Sequence, residues 1–267
     1  MMRALWTAGS GMIAQQHNVD VISNNLANVN TTGYKKDRTE FKDMLYETIE
    51  RAYTAGNEGR PANFQVGHGT RVFATVKDFS TGSFETSDNP LDLAIDGDGF
   101  FTVLGPNGEV AFTRDGSFKL SVTEEGNMLT TSDGYPVLDD AGSQIYLNDI
   151  DISSLKISSF GEISYEDETG TNVPLGQTLG IVKFANRNGL ESIGSNLYRY
   201  TSASGYPIAD YETGERSIIK QYSIERSNVQ VVEEMVNLIV AQRAYEINSK
   251  AIQTADDMLS LANNLKR

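Results

Sequence analysis

Cysteine is absent from the 267 residues, which removes disulfides and thiolate metal ligands at once. The absence names no compartment, yet it suits a chain exported unfolded through a narrow path into an oxidising space. Histidine occurs only as His17 and His68, and no recognisable Ser–His context supports nucleophilic catalysis. No segment approaches the roughly eighteen uninterrupted apolar residues of a membrane span. The N-terminus lacks the basic region, apolar core and small-residue cleavage site of a secretory signal, so export needs another route. Basic charge is also scarce, with 22 Lys and Arg against 36 Asp and Glu and a net charge of −14. Nucleic-acid binders neutralise phosphates with Lys and Arg, so that class is disfavoured, as is docking on anionic lipid.

What is present is ordinary globular material, 39% hydrophobic and 22% charged, enough for one large domain or two modest ones. The acid is confined to the middle. Residues 1–36 carry three bases and one acid, and residues 228–267 four bases and five acids, so both ends are near neutral. The acidic centre reads as a solvated surface.

The ends read as helix. Leu5, Met12, Val19 and Leu26 recur every seven residues, with Ala8, Ile22 and Val29 on a companion seam that Gln15 interrupts. This a/d pattern seeks a partner helix. It stops at 28–33, where Asn30, Thr31, Thr32 and Gly33 predict a cap and turn. At the other end Ser227–Asn228–Val229–Gln230 has capping-box spacing, and no Pro or Gly follows as far as Leu265. Two apolar stripes run along that segment. One repeats every eleven residues (Val229, Val240, Ala251 and Ala262, beside Val236, Ile247 and Met258, with Ala244 and Ala255), the other every seven (Val231, Leu238, Tyr245, Ile252 and Leu259). A helix covering one core needs one stripe. Two stripes predict two sets of neighbours, or else all-round burial in a single large core. Asn24, Asn25 and Asn28 in the first helix, and Asn237, Asn248, Asn263 and Asn264 in the last, are mediocre helix formers. They are either solvent-facing or hydrogen-bonded across seams to fix register.

Between the helices, Phe41, Met44, Leu45, Tyr46 and Ile49 predict a short amphipathic helix over 40–52, and a Gly-rich loop follows from Ala55 to Thr70. Strands are expected at Val72–Val76, Leu91–Ile95, Phe100–Leu104, Phe118–Val122, Ile152–Ile157 and Leu179–Phe184. Asp-Gly or Asn-Gly turns punctuate them at 96–97, 98–99, 107–108, 115–116, 133–134 and 188–189. That alternation indicates an antiparallel β domain.

Candidate chemistry is thin. Asp96–Gly97–Asp98–Gly99 invites a calcium-loop reading, but the fifth position is Phe100 and the twelfth Asn107, where the EF-hand needs an oxygen ligand and a Glu. Asp-Gly hairpin turns are the simpler reading. Gly9–Ser10–Gly11 and Gly67–His68–Gly69 are too short for a phosphate loop or a nucleophile elbow. Nothing singles out a carboxylate pair for glycan hydrolysis. No catalytic residue, metal site or cofactor is expected.

Three groups of residues carry a family resemblance. Ser23–Asn24–Asn25–Leu26–Ala27–Asn28–Val29–Asn30–Thr31–Thr32–Gly33–Tyr34–Lys35 resembles the N-terminal signature of flagellar rod and hook proteins. Glu234–Met235–Val236–Asn237 and the run Gln242–Arg243–Ala244–Tyr245–Glu246–Ile247–Asn248–Ser249–Lys250 resemble the C-terminal one. The blocks 93–101, 113–116 and 190–198 match the family's centre in order. Length and block order look most like distal-rod members, with proximal-rod or hook-type paralogues as the alternative. A cell-wall glycan hydrolase or glycan-binding β domain is the runner-up from another class.

The resemblance implies a drive-shaft subunit of the basal body, exported by the flagellar type III system without signal cleavage and assembled outside the cytoplasmic membrane as a helical homopolymer. The implied partners are further copies of the chain, proximal-rod proteins, the hook protein and, where an outer membrane exists, rod-surrounding rings, with no nucleic acid and no membrane insertion. The expected fold is α+β. Helices in 1–35 and 227–267 pair as an antiparallel coiled coil that forms the polymerisation domain. Connecting regions lie at 36–75 and 186–226, and a β-rich outer domain at 76–185. The expected subunit interface comprises Leu5, Met12, Val19, Ile22, Asn24, Asn25, Leu26 and Asn28 with Val236, Leu238, Val240, Tyr245, Ile247, Ile252, Met258 and Leu259.

Overall fold

The computed structural model describes residues 2–50, 63–106, 108–123, 126–148, 150–167, 171–214 and 216–264. Leu265, Asn107, residues 51–52 of the expected short helix and the 55–62 part of the expected loop lie outside them. The fold is α+β, with one helix at each end of the chain and antiparallel strands between. It divides into two compact units, one of residues 1–27, 37–76 and 230–267, the other of 28–36 and 77–229. Residues 37–76 group with the terminal helices, although the sequence suggested a connecting region there.

In the first unit, α1 spans Met2–Ala27 and α2 spans Val231–Asn264. At about 1.5 Å per residue, α2 is roughly 50 Å long. The two helices lie against each other, and α1 also packs on the strand Asp37–Asp43. That strand pairs with Thr70–Lys77, and Tyr46–Glu50 pairs antiparallel with Phe64–Gly67. The short helix expected over 40–52 is therefore two strands. An apolar spacing over so few residues does not separate helix from strand, and here each segment has a ladder partner further along the chain. The Gly-rich loop likewise yields to strand at 64–67.

The start of α2 also differs from the capping-box expectation. Ser227 Oγ accepts from Val229 N–H at 3.3 Å, closing a local turn. The helix begins only at Val231, where the Gln230 carbonyl accepts from Glu234 N–H at 3.0 Å. Asn228 is held by hydrogen bonds to residues 36, 78 and 80, which keeps 227–229 out of the helix.

The second unit is built on a six-stranded antiparallel sheet. Its strand order is Glu191–Gly194, Leu197–Arg199, Val110–Thr113, Phe100–Leu104, Ile181–Lys183 and Ile208–Ala209. Successive side chains of a strand face opposite ways, and the sheet uses both faces. Phe101 and Ala111 enter the large aliphatic core with Val103, Phe118, Val137, Ile145, Ile163 and Leu179. Their neighbours Phe100 and Phe112 enter a separate aromatic core with Phe79, Phe184 and Tyr198. In that aromatic core, edge-to-face pairs have centroids 4.9–5.9 Å apart, the geometry the ring quadrupoles favour.

A three-stranded sheet (Leu155–Ile157, Glu162–Glu166, Asn172–Thr178) and three two-stranded ribbons complete the unit. The strand expected from Ile152 begins only at Leu155. Residues Ile152–Ser154 form a 3-10 turn in which Asp151 accepts from Ser153 N–H at 3.1 Å. At the suspected calcium loop, Asp96 pairs with Lys220 at 2.6 Å and Asp98 with Arg187, as turn residues at a surface do.

Candidate assembly interface and the polar node beside the chain crossings

On α1, Ala8, Ala14, Ile22 and Asn25 are buried, while Gly11, Gln15 and Asn18 are half-buried. Residues 8, 11, 15, 18, 22 and 25 alternate by three and four, so they form one face, and Ala14 lies beside it. Of the interface residues expected from sequence, Ile22 and Asn25 lie on this face. Leu5, Met12, Val19 and Leu26 are half-buried on its flank, Asn28 is half-buried beyond the helix end, and Asn24 is exposed. A Cβ added at Gly11 would lie 2.9 Å from Asn248 Nδ2 of α2, so glycine permits close approach there.

The matching row on α2 is Glu234, Leu238, Ala241, Tyr245, Asn248, Ile252, Ala255 and Leu259, again spaced by four and three. Glu234, Ala241 and Ala255 are buried, and Leu238, Asn248, Ile252 and Leu259 half-buried. Sequence reasoning found the half of this row made of Leu238, Tyr245, Ile252 and Leu259. It missed Glu234 and Ala241 and assigned Ala255 to the other stripe, because none of these is strongly apolar, and it left Asn248 open between solvent and a helix seam. The alternating spacing itself was the available signal.

The eleven-residue stripe is placed differently. Val236, Val240, Ile247 and Met258 are exposed, Val240 and Ile247 by 62% and 66%. Val232, Met235, Ile239 and Leu261 extend this apolar surface. Tyr245 stands at the rim of the first row, in a groove with Gln16, Val19, Gln242 and Glu246. Thus α2 faces α1 with one stripe and solvent with the other.

Asn25 supplies a specific polar contact within the first unit. Its Oδ1 accepts from Asp37 N–H at 2.9 Å, and its Nδ2 donates to Asp37 O at 2.8 Å and to Glu234 Oε2 at 3.4 Å. The carboxamide closes residues 25 and 37 on each other as a backbone bridge would. Such a buried amide is fully used, and removing it strands partners.

The second unit holds a buried charge cluster that sequence reasoning did not single out. Lys35 Nζ pairs with Glu225 Oε1 at 2.6 Å and donates to Ser80 O at 2.7 Å. Arg114 donates to Ile95 O and Gly97 O and meets Glu225 Oε2 at 3.5 Å. The three side chains are at most 1% exposed. Burial pushes both cations below their ordinary pKa values, and the Glu225 carboxylate opposes that shift in each case. Gly33 closes this region. It sits at φ +66°, its N–H donates to Glu225 O at 2.8 Å, and a Cβ there would lie 2.7 Å from Asp115 N. Both conformation and space require glycine. Lys35 and Gly33 lie within the N-terminal signature and Arg114 in the 113–116 block, which was the visible signal. Glu225 had none.

Three family models match the chain in order: Flagella basal body rod protein over residues 5–35, Flagellar hook protein FlgE/F/G D1 domain over 94–165, and Flagellar basal body rod FlgEFG protein C-terminal over 220–265. Helical matches at both ends with a β match between them define the class, a bacterial flagellar rod or hook protein. Flagellar basal-body rod protein FlgG of Borreliella burgdorferi is 50% identical, the alignment covering all of both chains. The FlgG protein of Bacillus subtilis is 42% identical, again over all of both. The flagellar hook-basal body complex protein FlhP of the same organism is 29% identical over all of both chains. The chain belongs to the FlgG family of flagellar basal-body rod proteins, which are structural proteins of the basal body and not enzymes. Among the described residues no helix is long and apolar enough to cross a membrane.

Proposed function

We propose that the chain is a distal-rod subunit that self-assembles into a helical tube between the proximal rod and the hook. In this reading it is exported by the flagellar type III system and surrounded by rings where an outer membrane is present. Identity supports the distal-rod assignment, since it is 50% to a FlgG protein and 29% to the hook-basal body complex protein FlhP over the same full length. The terminal helices form the polymerisation domain by pairing antiparallel as a coiled coil. Two contacts support that direction. Residue 25 meets 234 and residue 11 meets 248, so advancing along one helix means retreating along the other by the same fourteen positions. The spacing of both rows is that of a heptad seam.

The observation that carries the assembly reading is the exposed apolar flank of α2. An open helical polymer needs heterologous contacts, one surface of a subunit meeting a different surface of the next, and the flank around Val236, Val240, Ile247 and Met258 is free of α1 to provide one side. The packing of 37–76 with the helices supports counting that segment with the polymerisation domain, and 77–185 remains the outer β domain with 186–226 leading back. Electron microscopy of basal bodies from a strain lacking this protein tests the assignment. Rods that stop short of the distal segment and carry no hook are expected. Complete rods bearing hooks would overturn it.

A further inference from the structure

The chain passes between its two units four times, after residues 27, 36, 76 and 229. The residues of the second unit next to these passages fall in three segments, 28–36, 77–82 and 222–229, and polar side chains tie the segments to each other. Asn228 Oδ1 accepts from Lys36 N–H at 2.8 Å, while its Nδ2 donates to Asp78 O at 2.8 Å and Ser80 Oγ at 3.0 Å. Lys35 joins Ser80 to Glu225, and Glu225 Oε1 also accepts from Gly82 N–H at 2.8 Å. Asp78 N–H donates to Lys36 O, and Gly33 N–H to Glu225 O. Each segment therefore finds hydrogen-bond partners on the other two, and the charged members are buried.

We propose that Lys35, Arg114, Glu225 and Asn228 form a polar node that makes the chain crossings dock and undock as one cooperative unit. Displacing 222–229 alone leaves Lys35 and Arg114 without their carboxylate, and displacing 28–36 alone leaves the carboxylate without Lys35, in an environment that does not solvate charge. Displacing 77–82 alone takes from Lys35 and Asn228 their acceptors on Ser80 and from Glu225 the Gly82 amide. Partial opening is thereby disfavoured relative to both the closed state and the fully open one.

Amide hydrogen exchange on the full-length subunit reads this directly. In Lys35→Met the Gly82 and Arg226 amides, on segments that do not contain the substitution, are expected to exchange roughly tenfold faster or more together with Gly33. The strand Phe100–Leu104 reports global stability and is expected to change less. Acceleration confined to residues 33–36 would overturn the proposal, as would an equal rise everywhere. A double substitution adds a second readout. Adding Lys35→Met to Glu225→Gln removes a stranded cation, so exchange is expected to slow relative to Glu225→Gln alone. Effects that multiply independently would contradict coupling. Should Glu225→Gln fail to fold, Asn228→Ala serves instead. Gly33 and Gly82 are then expected to rise together, and an unchanged Gly33 sinks the node.

Discussion

Val240→Asp separates folding from assembly. Val240 is 62% exposed on the solvent-facing flank of α2, Val and Asp have similar helix propensities, and exposed substitutions usually change stability by less than about 0.5 kcal/mol. The isolated subunit is therefore expected to keep its urea midpoint. On the proposed assembly the same position becomes buried in the polymer. Full burial of a valine contributes about 1.5–3 kcal/mol, of which roughly the exposed three-fifths, about 1–2 kcal/mol, is still to be gained on assembly. A carboxylate forfeits that gain and adds a desolvation penalty of several kcal/mol. A combined loss of about 3 kcal/mol or more per contact weakens association by a factor of about a hundred or more, repeated at every subunit. Ile22→Asp is the control. Ile22 is 5% exposed on the face of α1 turned towards the seam, so a carboxylate there is expected to lower subunit stability by about 3–5 kcal/mol. Urea titration of the purified proteins, with motility and basal-body microscopy of the strains, reads both effects. Normal rods in Val240→Asp would refute the second-neighbour role of the flank. Loss of folding in Val240→Asp comparable to Ile22→Asp would refute the assignment of two separate faces.

Other outcomes follow from single sites. Gly33→Ala places a Cβ at φ +66° within 2.7–2.9 Å of backbone atoms of residues 114 and 115, where neither side yields; a loss of about 2–4 kcal/mol by urea titration is expected, and a loss below 1 kcal/mol would contradict the fit. Ala255→Leu overfills a buried position and is expected to lower subunit stability by about 1–3 kcal/mol while also impairing rod formation; an unchanged urea midpoint would contradict it. Lys35 has a folded pKa below its ordinary value of 10.5 through burial, against the pull of Glu225. Between that lowered value and 10.5 the unfolded chain holds a proton the folded chain has released, so stability from this group rises with pH. Urea midpoints of the wild type relative to Lys35→Met are expected to climb across that window, and a relative fall would refute the direction.

The legible parts of this fold were those with long periodic signals. The heptad in α1 and the uninterrupted run of α2 fixed both helices, because apolar periodicity over some thirty residues admits little else. The strands expected at 72–76, 100–104 and 179–184 stood out for β-branched and aromatic content between turn dipeptides, and strands are found at 70–77, 100–104 and 181–183. Residues 40–50 were misread because their ladder partners, at 64–67 and 70–77, are supplied by the fold and not by the local pattern. The start of α2 was misplaced for a related reason. Ser227 and Gln230 have capping spacing, but Asn228 is recruited by strand residues far away in sequence, and that tertiary competition overrides a local cap. Glu225 illustrates the limit most sharply. An acid in Ser–Ile–Glu–Arg looks like any solvated charge until Lys35 and Arg114, 190 and 111 positions distant, are brought to it.

The periods of the two α2 stripes explain why small residues cluster towards its C-terminal end. On a helix advancing about 100° per residue, a seven-residue repeat drifts about 20° backwards per repeat and an eleven-residue repeat about 20° forwards. The row that begins at Glu234 and the flank that begins at Val236 therefore start on nearly opposite sides of the helix. They close to within about 60° of each other by Ala255 and Met258. On the proposed assembly, one side chain serves two neighbours where they converge, with little room for either. Ala251, Ala255 and Ala262 occupy that sector, whereas the branched residues Val236, Val240 and Ile247 sit where the faces are well apart. On that assembly a substitution near Ala255 touches both contacts, while one at Val236 or Val240 touches only the outer one. The face of α1 with Ala8, Ile22 and Asn25 matches one row of α2, and α2 carries a second surface whose independence from that row fades along its length.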